Sequence, residues 1–213
     1  MKKTVCALAV LATISVAPQA LAHKKGDFLV RAGAASVMPN ESSDNVLGSL
    51  GEFGIDSNIQ LGLTFGYMVT DNVSVELLAA TPFSHKVSLN GLGDIAEVEH
   101  LPPTLMLQYY FMESTSKWRP YVGAGLNYTT FFNEEFNSTG KNAKLSDLSL
   151  DDSWGLAANV GIDYQLKDDW FLGASVWYAD IGTDVNFKAD GAQQSVKTDI
   201  DPWIVMVSAG YSF

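Results

Sequence analysis

The chain carries three histidines, His23, His85 and His100, and each sits near groups that could make it reactive. Ser84 adjoins His85, and Asp94 and Glu97 follow in the same stretch, so the ingredients of a Ser–His–acid relay are present. Such a relay depends on convergent geometry rather than on adjacency in sequence, and any polar loop supplies these residue types. His85, Glu99 and His100 are also metal-ligating types, although a solvated loop is the simpler reading of them. His23 is expected to become a mobile chain start. No glycine-rich phosphate loop is present. The expectation is no enzyme, with no catalytic residue, metal or cofactor. One ionic set remains. Arg31, Glu76 and Asp163 bring one cation against two carboxylates and are expected to satisfy each other's charge as a polar plug, provided the fold places them together.

The chain start indicates where that fold is delivered. Lys2 and Lys3 form a positive region, Thr4 to Val16 is apolar, and Ala20-Leu21-Ala22 fits a small-x-small cleavage site. Residues 1–22 therefore read as a cleaved signal peptide and 23–213 as a single outer-membrane barrel domain. The apolar region is too short for a spanning helix, which needs about 20 residues. Cys6, the only cysteine, lies inside the leader and away from the cleavage site, so disulfide and thiol chemistry are excluded. With 24 acidic against 13 basic residues, the net charge of −11 repels nucleic acid. The mean hydropathy of +0.07 is high for so acidic a chain. Beyond the leader no run of about 18 apolar residues supports a membrane helix. High apolarity without such runs suggests alternating membrane strands.

Eight segments have the length of a tilted membrane strand, about 9–11 residues. They are 27–38, 58–69, 72–82, 98–111, 120–131, 153–165, 170–181 and 202–213. On one face they carry large apolar residues such as Leu61, Val160 and Trp203, and on the other small or polar ones such as Gln60, Gly62, Asn159 and Asp163. A soluble β-sandwich also alternates, so the aromatics decide. Tyr128, Trp154, Tyr178 and Trp203 fall at one end of their strands; Tyr67, Tyr109, Phe111, Tyr164, Trp170, Tyr211 and Phe213 fall at the other. Two aromatic belts fit a bilayer and not a sandwich. The links alternate between tight ones, such as 70–72 and 167–169, and long ones at 39–57, 83–97, 132–152 and 182–201. That is the layout of short periplasmic turns and long external loops. The fold class is thus all-β, an eight-stranded antiparallel transmembrane barrel in the cell outer membrane of a Gram-negative bacterium. Within the third loop, Lys141 to Leu150 is expected to form one or two helical turns.

An eight-stranded barrel holds its own side chains or one small ligand, never a bulk water channel. Parity places Leu29, Met68, Leu78, Met106, Tyr110, Tyr121, Phe171, Trp177, Ile204 and Met206 inside, an apolar set for a face expected to be polar. Leu78 and Trp177 lie at comparable heights and are expected to floor an apolar pocket open to the outside, with Met106, Leu29 and Met206 lining the lumen. A packed core is the competing reading. Pro82, Pro102 and Pro103 cannot donate ladder hydrogen bonds and are expected to weaken one strand pair enough for lateral exit into the bilayer. Terminating the wall is their blander role. Arg31, Glu76 and Asp163 share the lumen parity toward the periplasm, where their plug would block a straight water path.

Several segments carry a family likeness: Leu47-Gly48-Ser49-Leu50-Gly51, Gln60 to Phe65, Val75 to Phe83, His100 to Met106, Arg119 to Gly125, Asn127 to Phe132, Leu145 to Leu150, and Asp201-Pro202-Trp203. In these the chain resembles the OmpW family of small outer-membrane barrels across nearly its whole length past the leader. The resemblance implies an unusually hydrophobic lumen, passage of small hydrophobic molecules, and, in some members, docking of bacteriocins. Expected partners are outer-membrane lipid and lipopolysaccharide, small hydrophobic solutes, and the barrel assembly machinery through the C-terminal strand ending in Phe213. The alternative is a sealed structural or receptor barrel whose external loops dock bacteriocins, phage or host surfaces.

Overall fold

The computed structural model describes residues 23–48, 50–167 and 169–213. The expected leader, with Cys6, lies outside the described residues, as does Asp168 of the expected turn at 167–169. In chain order the strands are β1 (Phe28–Met38), β2 (Ser42–Ser43), β3 (Phe53–Ile55), β4 (Asn58–Met68), β5 (Val73–Ala80), β6 (Phe83–Leu89), β7 (Gly93–Leu101) and β8 (Thr104–Tyr110). Then come β9 (Trp118–Phe136), helix α1 (Ser138–Asn142), β10 (Leu145–Leu150), β11 (Ser153–Gln165), β12 (Trp170–Ala179), β13 (Gly182–Ala189), β14 (Ala192–Asp199) and β15 (Trp203–Ser212).

Eight of these close into an antiparallel ring in the order β1-β4-β5-β8-β9-β11-β12-β15. The ring returns to β1 through the β15 ladder, with Arg31 opposite Gly210. Closure removes both sheet edges, the requirement for strands in lipid. Leu61, Val160 and Trp203 are half-exposed on the outside, where a soluble protein would not tolerate them. Both aromatic belts pair up ring on ring. Tyr128 meets Trp154 at 4.7 Å and Tyr178 meets Trp203 at 5.3 Å at the outer end, while Trp118 meets Tyr164 at 4.4 Å and Trp170 meets Tyr211 at 5.1 Å at the periplasmic end.

The long external links are not loops. β9 runs for 19 residues, and its upper half leaves the barrel ladder to pair with β7. The hairpin β6–β7 stands above the ring with β3 on its far edge. β10, β13, β14 and β2 make a second sheet. The result is a walled funnel over the external mouth. The helix expected over Lys141–Leu150 is a correction: α1 ends at Asn142, and Leu145–Leu150 is strand. Asn137 starts the helix early, its side chain accepting from the Thr139 and Gly140 amides. The helical spacing of Leu145 and Leu148 comes instead from an irregularity. Asp147 takes φ +54, and the β10–β13 register slips between Ser146 and Ser149, bringing both leucines to one apolar cluster.

Candidate functional site: a closed base and a hollow apolar vestibule

At the periplasmic end the inward faces of β1, β4, β5, β8 and β11 converge on Arg31. Its Nη1 is bonded to Glu76 Oε2. Its Nη2 donates to Asp163 Oδ2 at 2.7 Å and to the Tyr110 hydroxyl at 2.8 Å. Gln108 Nε2 donates to the other Glu76 oxygen at 2.7 Å, and the Thr64 hydroxyl reaches Glu76 at 3.0 Å. Arg31, Glu76 and Asp163 are all fully buried. Around them pack Leu29, Met68, Tyr110, Tyr121 and Phe171, with the Arg31 guanidinium 5.1 Å from the Phe171 ring. Glycines make room for these rings: a Cβ on Gly161 would strike Tyr121, and one on Gly210 would strike Phe171.

Two members of this base escaped the sequence reading. His23 is not a mobile end. It is buried, its Nε2 lies 3.1 Å from Asp163 Oδ2, and its ring meets Phe171 edge-on at 4.4 Å. Arg119 is equally buried and donates to the backbone oxygens of His23 and Asp71 at 2.8 and 2.6 Å. The inward parity it shares with Tyr121 was a signal that could have found it. Leu29 also moves: it was expected to line the ligand lumen, but it packs in this lower cluster, beside the charged groups.

Above the base the chemistry reverses. Leu78, Met106, Trp177 and Met206 join Ala35, Val37, Phe83, Val98, Phe131 and Ile204 in one apolar cluster. Leu78 and Trp177 pack in this cluster and are not among the residues lining the two spaces that open on its outer side. The hollow space borders this cluster on its outer side. Val37, in register with Ile204 and through it with Trp177, lies on its lower wall. The cavity, of about 40 Å³ and partly open to solvent, lies between Val37, Ile55, Val98, Phe131, Leu150 and Ile200. A second space of similar size continues outward past Phe53, Ile95, Phe136 and Val185 and shares Ile55, Val87, Val98, Leu150 and Ile200 with the first. Together they form an apolar vestibule inside the funnel.

His85 and His100 lie in this vestibule. They belong to β6 and β7 and are buried, which corrects the solvated loop expected there. Their rings stack at 5.1 Å. Burial pushes the His85 imidazole below its usual range, and burial together with His85 pushes His100 down to about 3. Both rings are therefore neutral at pH 7. Ser84 points to the opposite face, as neighbours on a strand must, and donates instead to Glu97 Oε1 at 2.5 Å. Glu99 accepts from Asn133 at 3.1 Å, away from the imidazoles. Among the described residues no cluster fit to hold a metal is found.

The wall is interrupted beside the vestibule. The β5–β8 ladder stops at Leu78/Thr104, and pairing between these chain arms resumes only at Phe83/His100 of β6 and β7. The gap contains Pro82 on one side and Pro102 and Pro103 on the other. Neighbouring elements take up some of the freed groups. The Tyr128 amide donates to the Pro103 carbonyl at 3.0 Å, and the Asn58 side chain donates to the Ser84 carbonyl at 2.6 Å.

A model of the OmpW family matches residues 24–213. Over 218 residues the chain is 63% identical to Outer membrane protein W of Vibrio cholerae, covering 100% of both chains. The crystal structure of the outer membrane protein OprG from Pseudomonas aeruginosa matches with a TM-score of 0.85 and 44% identity, over 90% of this chain and 98% of that one. Outer membrane protein AlkL of Ectopseudomonas oleovorans is 30% identical over 76% of this chain and 69% of its own length.

Proposed function

This chain belongs to the OmpW family of outer-membrane barrels, which are not enzymes, and from that premise we propose that it passes small hydrophobic molecules from the external medium into the membrane. The solute enters the funnel, rests in the apolar vestibule, and leaves sideways through the gap beside Pro82, Pro102 and Pro103. The observation that carries this reading is the ladder break lying against the apolar cluster and above a closed base.

Magnitudes favour the side exit over a straight path. To cross the base a solute must separate Arg31 from Glu76, Asp163 and Tyr110. Hydrogen bonds to charged groups contribute about 1.5–3 kcal/mol each, and a stranded buried charge costs more. Within the vestibule a solute exchanges one set of apolar contacts for another. At the gap the prolines have no amide hydrogen to give up, so parting the strands there breaks few bonds.

The test is uptake into liposomes carrying the purified barrel. A hydrophobic solute should enter faster than a polar one of equal size. Replacing Pro102 and Pro103 together with valine should slow that uptake. Unchanged uptake in the double variant removes the lateral exit. Equal permeation of both solute classes removes the hydrophobic selectivity, and permeation of neither removes the transport reading and leaves a sealed barrel whose funnel serves docking.

A further inference from the structure

We propose that the vestibule selects hydroxylated aromatic molecules of the phenol class, using His85 as a fixed hydrogen-bond acceptor and the His100 and Phe131 rings on its wall as a stacking surface. The inference rests on the transport reading above and narrows its substrate.

The tautomer of His85 follows from its surroundings. Its Nδ1 lies 2.5 Å from the Asp56 backbone oxygen. A carbonyl only accepts, so the proton of the neutral ring sits on Nδ1. The Asp56 carboxylate, 3.8 Å from the same nitrogen, favours that placement. Nε2 then carries a lone pair and no proton. That atom is buried without a hydrogen-bond partner, and the residue is 4% exposed. Buried polar atoms are nearly always satisfied, so an orphan on a cavity wall indicates a missing partner. The missing group must be a donor.

The remaining wall says what carries the donor. His85 and His100 both line the cavity, and every other lining residue is apolar. Phe83 stacks on His100 at 5.5 Å and 25°, and His100 meets Phe131 at 6.0 Å. Neutral aromatic rings of this kind pair with a further ring in offset or edge geometry. A planar ring with one hydroxyl satisfies both features: its O–H donates to Nε2, and its carbon frame stays among the rings and aliphatics. A carboxylate or phosphate does not, because it brings charge and no donor into an apolar space.

The test uses 4-ethylphenol, ethylbenzene and 4-ethylcyclohexanol as probes, with the full barrel in nanodiscs. Binding is read from dissociation constants and from the ¹⁵N chemical shift of the His85 ring. The phenol should bind about tenfold tighter than ethylbenzene, the scale of one buried hydrogen bond. It should also bind tighter than the non-aromatic alcohol, and it should shift the Nε2 resonance. In H85F, which keeps a buried ring and loses the acceptor, the phenol and the hydrocarbon should bind alike. Equal binding of phenol and ethylbenzene to the wild type, or an unmoved Nε2 resonance, overturns this inference while leaving the hydrophobic vestibule intact. Failure of all three probes to bind overturns both. Because the resonance is read in the wild-type protein, the result does not depend on H85F folding.

Discussion

Toward the periplasm the lumen is ionic and filled; toward the outside it is apolar and hollow. The base is built from the inward faces of the barrel strands, whereas the chamber is lined chiefly by β3, β6, β7 and β10, which stand above them, together with the upper ends of β1 and β9. In the lower half Arg31 and Glu76 are each held by directional bonds to several strands at once. Arg31 ties β1 to β5, β8 and β11. Such a network has one good arrangement and resists a passing guest. In the upper half the contacts are non-directional, and a cavity among them can be refilled by any apolar molecule of suitable size. Under the proposed function the lower network acts as a rigid seal and the upper space as an adaptable chamber.

The largest effect should come from breaking the seal. Arg31→Met leaves Glu76 and Asp163 buried without their cation, and breaking one partner of a buried pair costs roughly 3–5 kcal/mol. Urea unfolding in lipid vesicles should register that loss, and binding of ethylbenzene to the vestibule should not change. A loss below about 1 kcal/mol would mean that the base is not an integrated network. Leu78→Ala tests the boundary between the halves. Leu78 is 5% exposed inside the upper cluster, and removing its buried methyls should cost about 3 kcal/mol. If a cavity opens toward the vestibule, larger solutes should then be admitted. If stability falls and the size limit does not move, the cluster around Leu78 is packing only.

The two halves also differ in how far the sequence disclosed them. The barrel wall was legible because alternation and belts obey one period over eight segments, and Leu61, Val160 and Trp203 face outward as that period requires. The core of the seal was legible because Arg31, Glu76 and Asp163 are rare charges on the inward parity. His23 was not, because it precedes the first strand and has no parity to read. The vestibule was the least legible part. Alternation continues through Phe83, His85, Val87 and Leu89, but the imidazole breaks the apolar series and made a polar loop the simpler reading. Only β7 and the upper half of β9, packed against β6, show that the histidine is inside.

That misreading points to the smallest of the expected effects, and to one that separates the two regions without disturbing the wall. His100 is 7% exposed, and its imidazole is held down to about 3, first by burial and then by His85. The unfolded chain takes up that proton near pH 6.5. Between pH 6.5 and about 3 the unfolded or opened form therefore binds a proton that the folded form refuses, and stability falls across this window as pH drops. His85, also lowered, adds to the loss in the same direction. At pH 5 the His100 contribution alone is about 2 kcal/mol. Other groups near the pair are the Asp56 carboxylate beside β4 and Lys86 on the outer side of β6; the first draws a proton toward His85 and tempers its share. Amide hydrogen exchange is the measurement suited to this, because the loss should be local. Protection in β6, β7 and the upper half of β9 should fall between pH 7.5 and pH 5 after correction for intrinsic exchange, while the barrel strands around Arg31 keep theirs. H100F should remove most of the difference. If both regions lost protection in parallel, or if H100F responded to acid as the wild type does, the funnel and the base would be one cooperative unit and the division between seal and chamber would have no energetic counterpart.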